Sequence, residues 1–460
     1  MRDAPPLILP IVLIAMAILE LVFQFTGAAW ARAGAHLGLG AVILAAIPRL
    51  GGREAYLIAL SAGLGLLLWL YDPTPWQTAR RAMDQAAFLM AFVLLISLIQ
   101  EAAATSQSVE RLGTFLARQP GGRRFFGIFG GTMGMSVIFN MSTITLLAPL
   151  IHRAALAAPD DPLTPIRERR QLNAHLRGFA WSVVWSPTAI APLALLGLID
   201  GIDRGAWIAI GFGISCTMMV IGWAEDKYAF RNQTAAARGL APVRPAALPR
   251  DALWRFLAVC AVFATLAGAI MVTSGQGVPP SLMAAAPILL VLWLVAQGTA
   301  LGPRLSQIAR HGLPVSAPMC VTLAGAGFIG IAGAALLPAQ AVAGWLGLDA
   351  LPAWAFMLGT TLAVTALSQL ALSPVMMAVF FGAVLGSLPS LPATPTQTAL
   401  AVATGWAVST TISPFASGVI MLSRVTGIPG TRLTYRWNAI YTALTVTALA
   451  LAYMTITALT

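Results

Sequence analysis

The sequence predicts an all-α polytopic membrane protein with about eleven transmembrane helices, two opposed re-entrant hairpins and an inverted internal repeat. Three observations predict it. Of 460 residues, 58% are hydrophobic and 9% charged, with a mean hydropathy of +0.82, whereas water-soluble domains carry about 25% charged residues. Apolar runs of the length needed to cross roughly 30 Å of hydrocarbon recur along the chain. The arginines gather in the short polar segments between those runs, which is a signature of membrane orientation; the net charge of +11 therefore points to the lipid bilayer and not to nucleic acid.

The first apolar run, residues 7–26, follows a weak basic segment (Arg2 beside Asp3) and is too long for a signal-peptide core, so it reads as a retained helix. Runs at 36–48, 55–71 and 85–104 follow, the first of these short. Residues 125–151, FFGIFGGTMGMSVIFNMSTITLLAPLI, are uncharged but interrupted by Asn140, Ser142 and Thr143. Gly130, Gly131, Gly134 and Pro149 argue against one straight spanning helix. Polar, broken backbone at membrane depth is tolerated only where protein buries it or a wet cavity meets it, so this stretch is a candidate binding site. Further runs lie at 178–199, 205–223, 252–273, 281–300, 313–337, 354–385, 398–423 and 437–460. A polar linker over 224–251, opening with Glu225 and Asp226 and continuing in Pro, Ala and Arg, divides the chain into halves. Cys216, Cys260 and Cys320 show no paired or metal-ligand spacing and read as packing residues.

Charge decides how the two odd stretches cross. If 125–151 enters and leaves on one side, and 354–385 does the same from the other, 23 of the 27 lysines and arginines fall inside. Only Arg32, Arg80, Arg81 and Arg204 are then left outside. A single crossing by the first stretch would swap every later loop and remove the bias. The amino terminus is then cytoplasmic and the carboxyl terminus outside, in what reads as a bacterial inner membrane. Each half contains spanning helices, a hairpin with a polar tip, an interrupted helix and a closing helix, and the hairpins enter from opposite faces, so the repeat is inverted.

The interrupted helices carry Ser186-Pro187-Thr188 and Ser413-Pro414. Proline removes a backbone donor and frees carbonyls, which suit a cation, while the restarting half-helix offers N–H groups that suit an anion. Four such breaks at the midplane would form one site for both.

This order of elements, with FNMSTITLLAPL followed by FAWSVVWSPTAIAPLALLGL and LSQLALSPVMMAVFF followed by ATGWAVSTTISPFASGVIML, resembles the ion transporter superfamily, especially its divalent-anion/sodium symporter and citrate-transporter branches. The resemblance covers the chain after the first helix. It implies an elevator-type secondary transporter, commonly a homodimer, whose hairpin tips bind sodium and a carboxylate substrate. Carried over, it implies Asn140, Ser142 and Thr143 at the first tip, also the sodium candidates, and Ser373 at the second. From the interrupted helices it implies Ser186, Thr188, Ser409, Thr410, Thr411 and Ser413. The second tip departs from the pattern, with Ala371 and Pro374 where Asn and Thr stand in the family. The implied domains are scaffold helices at 1–124 and 252–337 and transport-domain halves at 125–223 and 338–460, joined by the 224–251 linker. No cofactor is implied besides sodium as coupling ion.

Each group has a plainer reading. Asn140 could bond a neighbouring helix, Ser and Thr could bond back to their own helices, the Ser-Pro pairs could be kinks, and the glycines could be close-packing positions. His152, His175 and His311 read as loop residues, Glu20, Asp84 and Glu101 as interfacial or paired, and Trp69, Trp76, Trp345, Trp354 and Trp437 as an interfacial belt. An enzyme would need a convergent acid, base, nucleophile or metal set, which the sequence lacks. A channel would show a filter repeat. A cation/proton antiporter or anion exporter is the stronger alternative. Against proton coupling, no Asp, Glu, Lys, Arg or His occurs in 125–151, 178–199, 354–385 or 398–423, so a proton would need a group such as Glu20.

Overall fold

A computed structural model describes residues 8–156, 163–232, 247–345 and 347–459. The described residues are helical, with no strand. The first half runs α1 (Ile8–Thr26), α2 (Ala29–Ala46), α3 (Gly52–Tyr71), α4 (Pro75–Ala103), α5 (Gln107–Ala117), α6 (Gly121–Phe139), α7 (Ser142–Leu156), α8 (Thr164–Trp185), α9 (Ile190–Leu196) and α10 (Arg204–Ala229). The second runs α11 (Arg250–Ser274), α12 (Val278–Ala296), α13 (Leu301–Leu336), α14 (Ala339–Trp345), α15 (Ala353–Leu367), α16 (Pro374–Gly386), α17 (Pro395–Ile412), α18 (Ser417–Thr426) and α19 (Ala439–Leu459). Among the described residues, eleven helices are long and apolar enough to cross a membrane. They are not quite the eleven read from sequence. The first arm of the second hairpin is one of them, and α8, with its arginines, is not.

The chain divides into two compact units, Met1–Ser106 with Trp254–Pro338, and Gln107–Leu253 with Ala339–Thr460. In the first, α4 lies centrally against α1, α12 and α13, and α3 packs on α13. Close approach depends on small residues: a Cβ on Gly327 would stand 2.9 Å from the carbonyl oxygen of Gln85. Helix α2 begins at Ala29, well before the apolar run at 36. Arg32 enters the helix because its Nε and one terminal nitrogen donate to the two carboxylate oxygens of Asp84 on α4, and His36 Nε2 lies 2.9 Å from the same carboxylate. Glu101 pairs with Arg304 at 3.2 Å. Glu20 is buried and accepts a bond from Gln24 at 2.7 Å.

The second unit contains the same series twice: a short helix, a helical hairpin, a broken helix and a closing helix. Its packing repeats too. Helix α6 packs on α8 as α15 packs on α17, α7 on α18 as α16 on α9, and α8 meets α17 as α10 meets α19. The broken helix of the first half starts at Thr164, fourteen positions ahead of its apolar run. The expectation that His175 lies in a loop is therefore wrong: it is inside α8, fully buried, with Nδ1 sharing a 2.8 Å bond with Thr132 Oγ1. Arg177 is likewise 1% exposed. Its charge is met by Glu225 at 2.8 Å and Asn438 at 2.7 Å, and its guanidinium lies 3.9 Å from the Tyr441 ring centre. His152 is also helical and pairs with Glu168 at 2.5 Å. Trp437 is buried beneath Arg169 and Arg432 and does not join a surface belt, whereas Trp69, Trp76 and Trp345 are exposed. Arg2 and, in the linker, Arg238 and Arg244 lie outside the described residues.

Candidate functional site

The site is built from the two hairpin tips and the two helix breaks of the second unit. At the first tip, α6 continues unbroken through Gly130, Gly131 and Gly134 to Phe139 and ends at Asn140, whose φ of 49° and ψ of −128° reverse the chain in two residues. The glycines do not break the helix. Gly131 admits Leu116, and Gly130 and Gly134 face open space. Asn140 Nδ2 donates to the Thr188 carbonyl at 3.2 Å, and Thr188 Oγ1 donates to the Val137 carbonyl, so the tip is bonded to the first break from both sides.

The two breaks are near copies. Ser186 caps α8 with its N–H on Ser182 O at 3.0 Å, and Ser413 caps α17 with its N–H on Ser409 O at 2.7 Å. Both serines are extended, with ψ of 125° and 122°. Each serine carbonyl then accepts from an alanine three residues on, Ala189 or Ala416, at 3.2 Å. The proline between cannot donate, so the ladder stops and restarts there. Some freed acceptors are taken from outside the helix: Trp207 Nε1 donates to Val184 O at 2.7 Å.

The second tip is longer. Ser368–Leu370 tightens into a 3-10 turn, Ala371 is left-handed with φ of 62°, and Ser373 caps α16 by accepting from Met376 N–H at 3.3 Å. Ser413 Oγ donates to Ser368 O at 2.8 Å, which bonds this tip to the second break as Asn140 bonds the first.

The restarted half-helices are exchanged between halves. A Cβ on Gly418, at the start of α18, would stand 2.9 Å from Ile144 Cδ1 in the first turn of α7, so these two amino-terminal ends lie together. Gly382 and Gly386 at the end of α16 lie against Leu195 and Leu198 at the end of α9, which makes that pair parallel as well. Each hairpin thus bonds its own break through its tip and packs its second arm along the half-helix beyond the other break. Although the Thr143 and Ile144 N–H groups are taken by the Asn140 and Met141 carbonyls, adjacent amino-terminal ends still add their helix dipoles, an arrangement that attracts negative charge.

The sequence-selected residues fall into two groups. Asn140, Thr188, Ser186, Ser373 and Ser413 lie at tips and breaks and bond across or around them. Ser142 opens α7, and Thr143 beside it is fully buried with no hydrogen-bond partner for Oγ1 among the described residues. Ser409, Thr410 and Thr411 instead donate to carbonyls of their own helix, of Gly405, Trp406 and Val408, at 2.7–3.0 Å. A hydroxyl that has spent its proton this way still has oxygen lone pairs for a cation. Sequence reasoning missed His175 with Thr132, because the helix was begun too late, and Trp207, whose role is visible only once α10 lies on α8. Among the described residues no cluster of three or more His, Cys, Asp or Glu is arranged to hold a metal.

No protein-family model and no curated protein matches the chain in sequence. Solved structures do match. The YdaH transporter of Alcanivorax borkumensis aligns with a TM-score of 0.56 at 15% identity, over 88% of this chain and 98% of that one. MtrF of Neisseria gonorrhoeae, described as illuminating a class of antimetabolite efflux pumps, aligns with a TM-score of 0.54 at 12% identity, over 88% and 94%. The chain is an integral membrane protein that shares the fold of these two.

Proposed function

We propose that this protein is a secondary active transporter that couples sodium to the uptake of a small organic anion of carboxylate type. The observation that carries the reading is the exchanged pairing of tips and breaks. It gathers Asn140, the Thr143 hydroxyl, unpartnered among the described residues, and the adjacent amino termini of α7 and α18. Neutral oxygens there suit sodium, and helix amino termini suit the anion whose charge sodium offsets. That both fold neighbours are transporters supports the transport class. In this reading the second unit carries the substrate as one body, elevator fashion, and a homodimer forms through the first unit. The test is solute flux in proteoliposomes with sodium and pH gradients varied separately. Sodium-driven uptake that Asn140→Ala weakens together with substrate binding is the expected result. Uptake driven equally by a pH gradient without sodium would refute it. A thiol cross-link within the second unit, between Phe126→Cys and Trp223→Cys, whose native rings lie 5.5 Å apart, is expected to leave transport intact. Cross-links between the two units are expected to stop it.

One observation favours a second reading, proton coupling as in an antiporter or anion exporter. Glu20, Arg32, His36 and Asp84 form a charged cluster on α1, α2 and α4 of the first unit. Two carboxyls facing one arginine and one imidazole can hold an exchangeable proton. The efflux class described for MtrF fits export. Glu20→Gln separates the readings: sodium coupling predicts unchanged flux, and proton coupling predicts loss of pH-driven flux.

A further inference from the structure

The two halves of the second unit repeat closely enough for each to serve as a control on the other. Gly178 stands eight residues before Ser186 and Gly405 eight before Ser413. A Cβ on the first would meet the Phe129 carbonyl oxygen at 2.5 Å, and one on the second that of Thr361 at 3.1 Å. Phe129 and Thr361 in turn each stand thirteen residues before the second arm of their hairpin, which starts at Ser142 or at Pro374. Positions at the tips and breaks can therefore be paired. The residue of positive φ at which the chain reverses is Asn140 in the first half and Ala371 in the second. The second residue of the second arm is Thr143 or Val375, and the residue after the Ser-Pro pair is Thr188 or Phe415. In all three pairs the first half supplies a side-chain oxygen and the second a hydrocarbon.

Threonine and valine differ by a hydroxyl in place of a methyl. Thr143 and Val375 are both buried, and valine fills its position with no polar atom to satisfy. Packing alone does not call for a hydroxyl at 143, yet Oγ1 is there, buried and without a partner among the described residues. Leaving such a group unpaired is costly, so its presence fits an oxygen that is paired when a ligand is bound. At the second tip the remaining polar groups bond one another. The Ser368 carbonyl accepts from Ser413 Oγ at 2.8 Å, and Ser373 Oγ accepts from the Met376 N–H. Gln369, the one carboxamide of that tip, accepts from Tyr435 OH at 2.9 Å and donates to the Thr365 carbonyl at 3.2 Å. An ion gives up its water shell only where several oxygens replace it together. Resting on the sodium-coupled reading above, we propose that the transporter binds a single sodium ion per chain, at the first tip through Asn140 and Thr143. The second tip and break, which the repeat would make a second cation site, form none. One sodium carries one charge, so a monocarboxylate enters with no net charge moved.

The test is equilibrium binding of radioactive sodium to the purified full-length protein in detergent, without substrate, at constant ionic strength made up with choline chloride. Melting temperature in sodium-free buffer is read beside it. Wild type is expected to saturate at one sodium per chain. Thr143→Val is expected to weaken sodium about tenfold. It is also expected to melt at or above the wild-type temperature, because it removes an unpaired hydroxyl and places valine where the paired position already holds it. Thr143→Ser, which keeps the oxygen, is expected to bind sodium as wild type does. Gln369→Leu is expected to leave sodium binding unchanged. Saturation at two sodium ions per chain, or weakening of about tenfold by Gln369→Leu, overturns the single site. Sodium binding by Thr143→Val equal to that of wild type overturns the part assigned to Thr143. No saturable binding by wild type overturns the sodium-coupled reading itself, on which this inference rests.

Discussion

Asn140 holds a backbone conformation that suits glycine, and it holds it at the first hairpin tip. The φ of 49° with ψ of −128° is the first central position of a mirror-image turn, where a Cβ is disfavoured. Strain of this kind costs about 1–3 kcal/mol and persists only where the surroundings over-determine it. The Nδ2 bond to Thr188 O is such a surrounding, and a bond of this type is worth about 1 kcal/mol. Asn140→Gly and Asn140→Ala should therefore invert the usual order of those residues, the glycine variant melting higher in detergent than the alanine variant, while both lose the amide. Alanine melting higher would show that the tip relaxes. The asparagine itself was legible in the sequence as a polar residue in an uncharged run. Its backbone angle was not, because the sequence marks where the apolar run is interrupted but not the φ at which the chain reverses there.

At the scale of elements, glycine placement decides how closely the hairpins meet the broken helices. A Cβ on Gly178 would stand 2.5 Å from the carbonyl oxygen of Phe129, and one on Gly386 would collide with that of Leu198. Backbone cannot yield as a side chain can, so Gly178→Ala and Gly386→Ala are expected to lose about 1–3 kcal/mol each in thermal unfolding. Gly134→Ala, with nothing within 4 Å, is expected to gain roughly 0.5–1 kcal/mol from helix propensity. The Ser-Pro breaks were readable because proline removes a donor wherever it stands. The starts of α2 and α8 were not: Arg32 and Arg177 read as loop charges, yet each is helical because a partner distant in sequence, Asp84 or Glu225, meets it.

At the scale of the whole molecule, Arg177 ties the two halves of the second unit together. From α8 it reaches Glu225 on α10 and Asn438 beside α19, and Asn438 in turn bonds Asn173 at 3.3 Å. Removing one partner of a buried pair leaves the other charge uncompensated at about 3–5 kcal/mol, whereas removing both is often near neutral. Arg177→Met should destabilise strongly, and adding Glu225→Gln should restore most of the melting temperature; equal loss in both would show that Asn438 and Tyr441 matter more. The sequence by itself determined the fold class and the places where apolar runs are interrupted. These follow from apolar length, from proline and from the polar interruption of apolar runs, all of which are local properties. Only the tertiary structure decided that each hairpin packs along the other half's restarted helix and that α8 buries Arg177 against Glu225 and Asn438. Those outcomes depend on which distant group lies opposite, and spacing along a chain does not encode that.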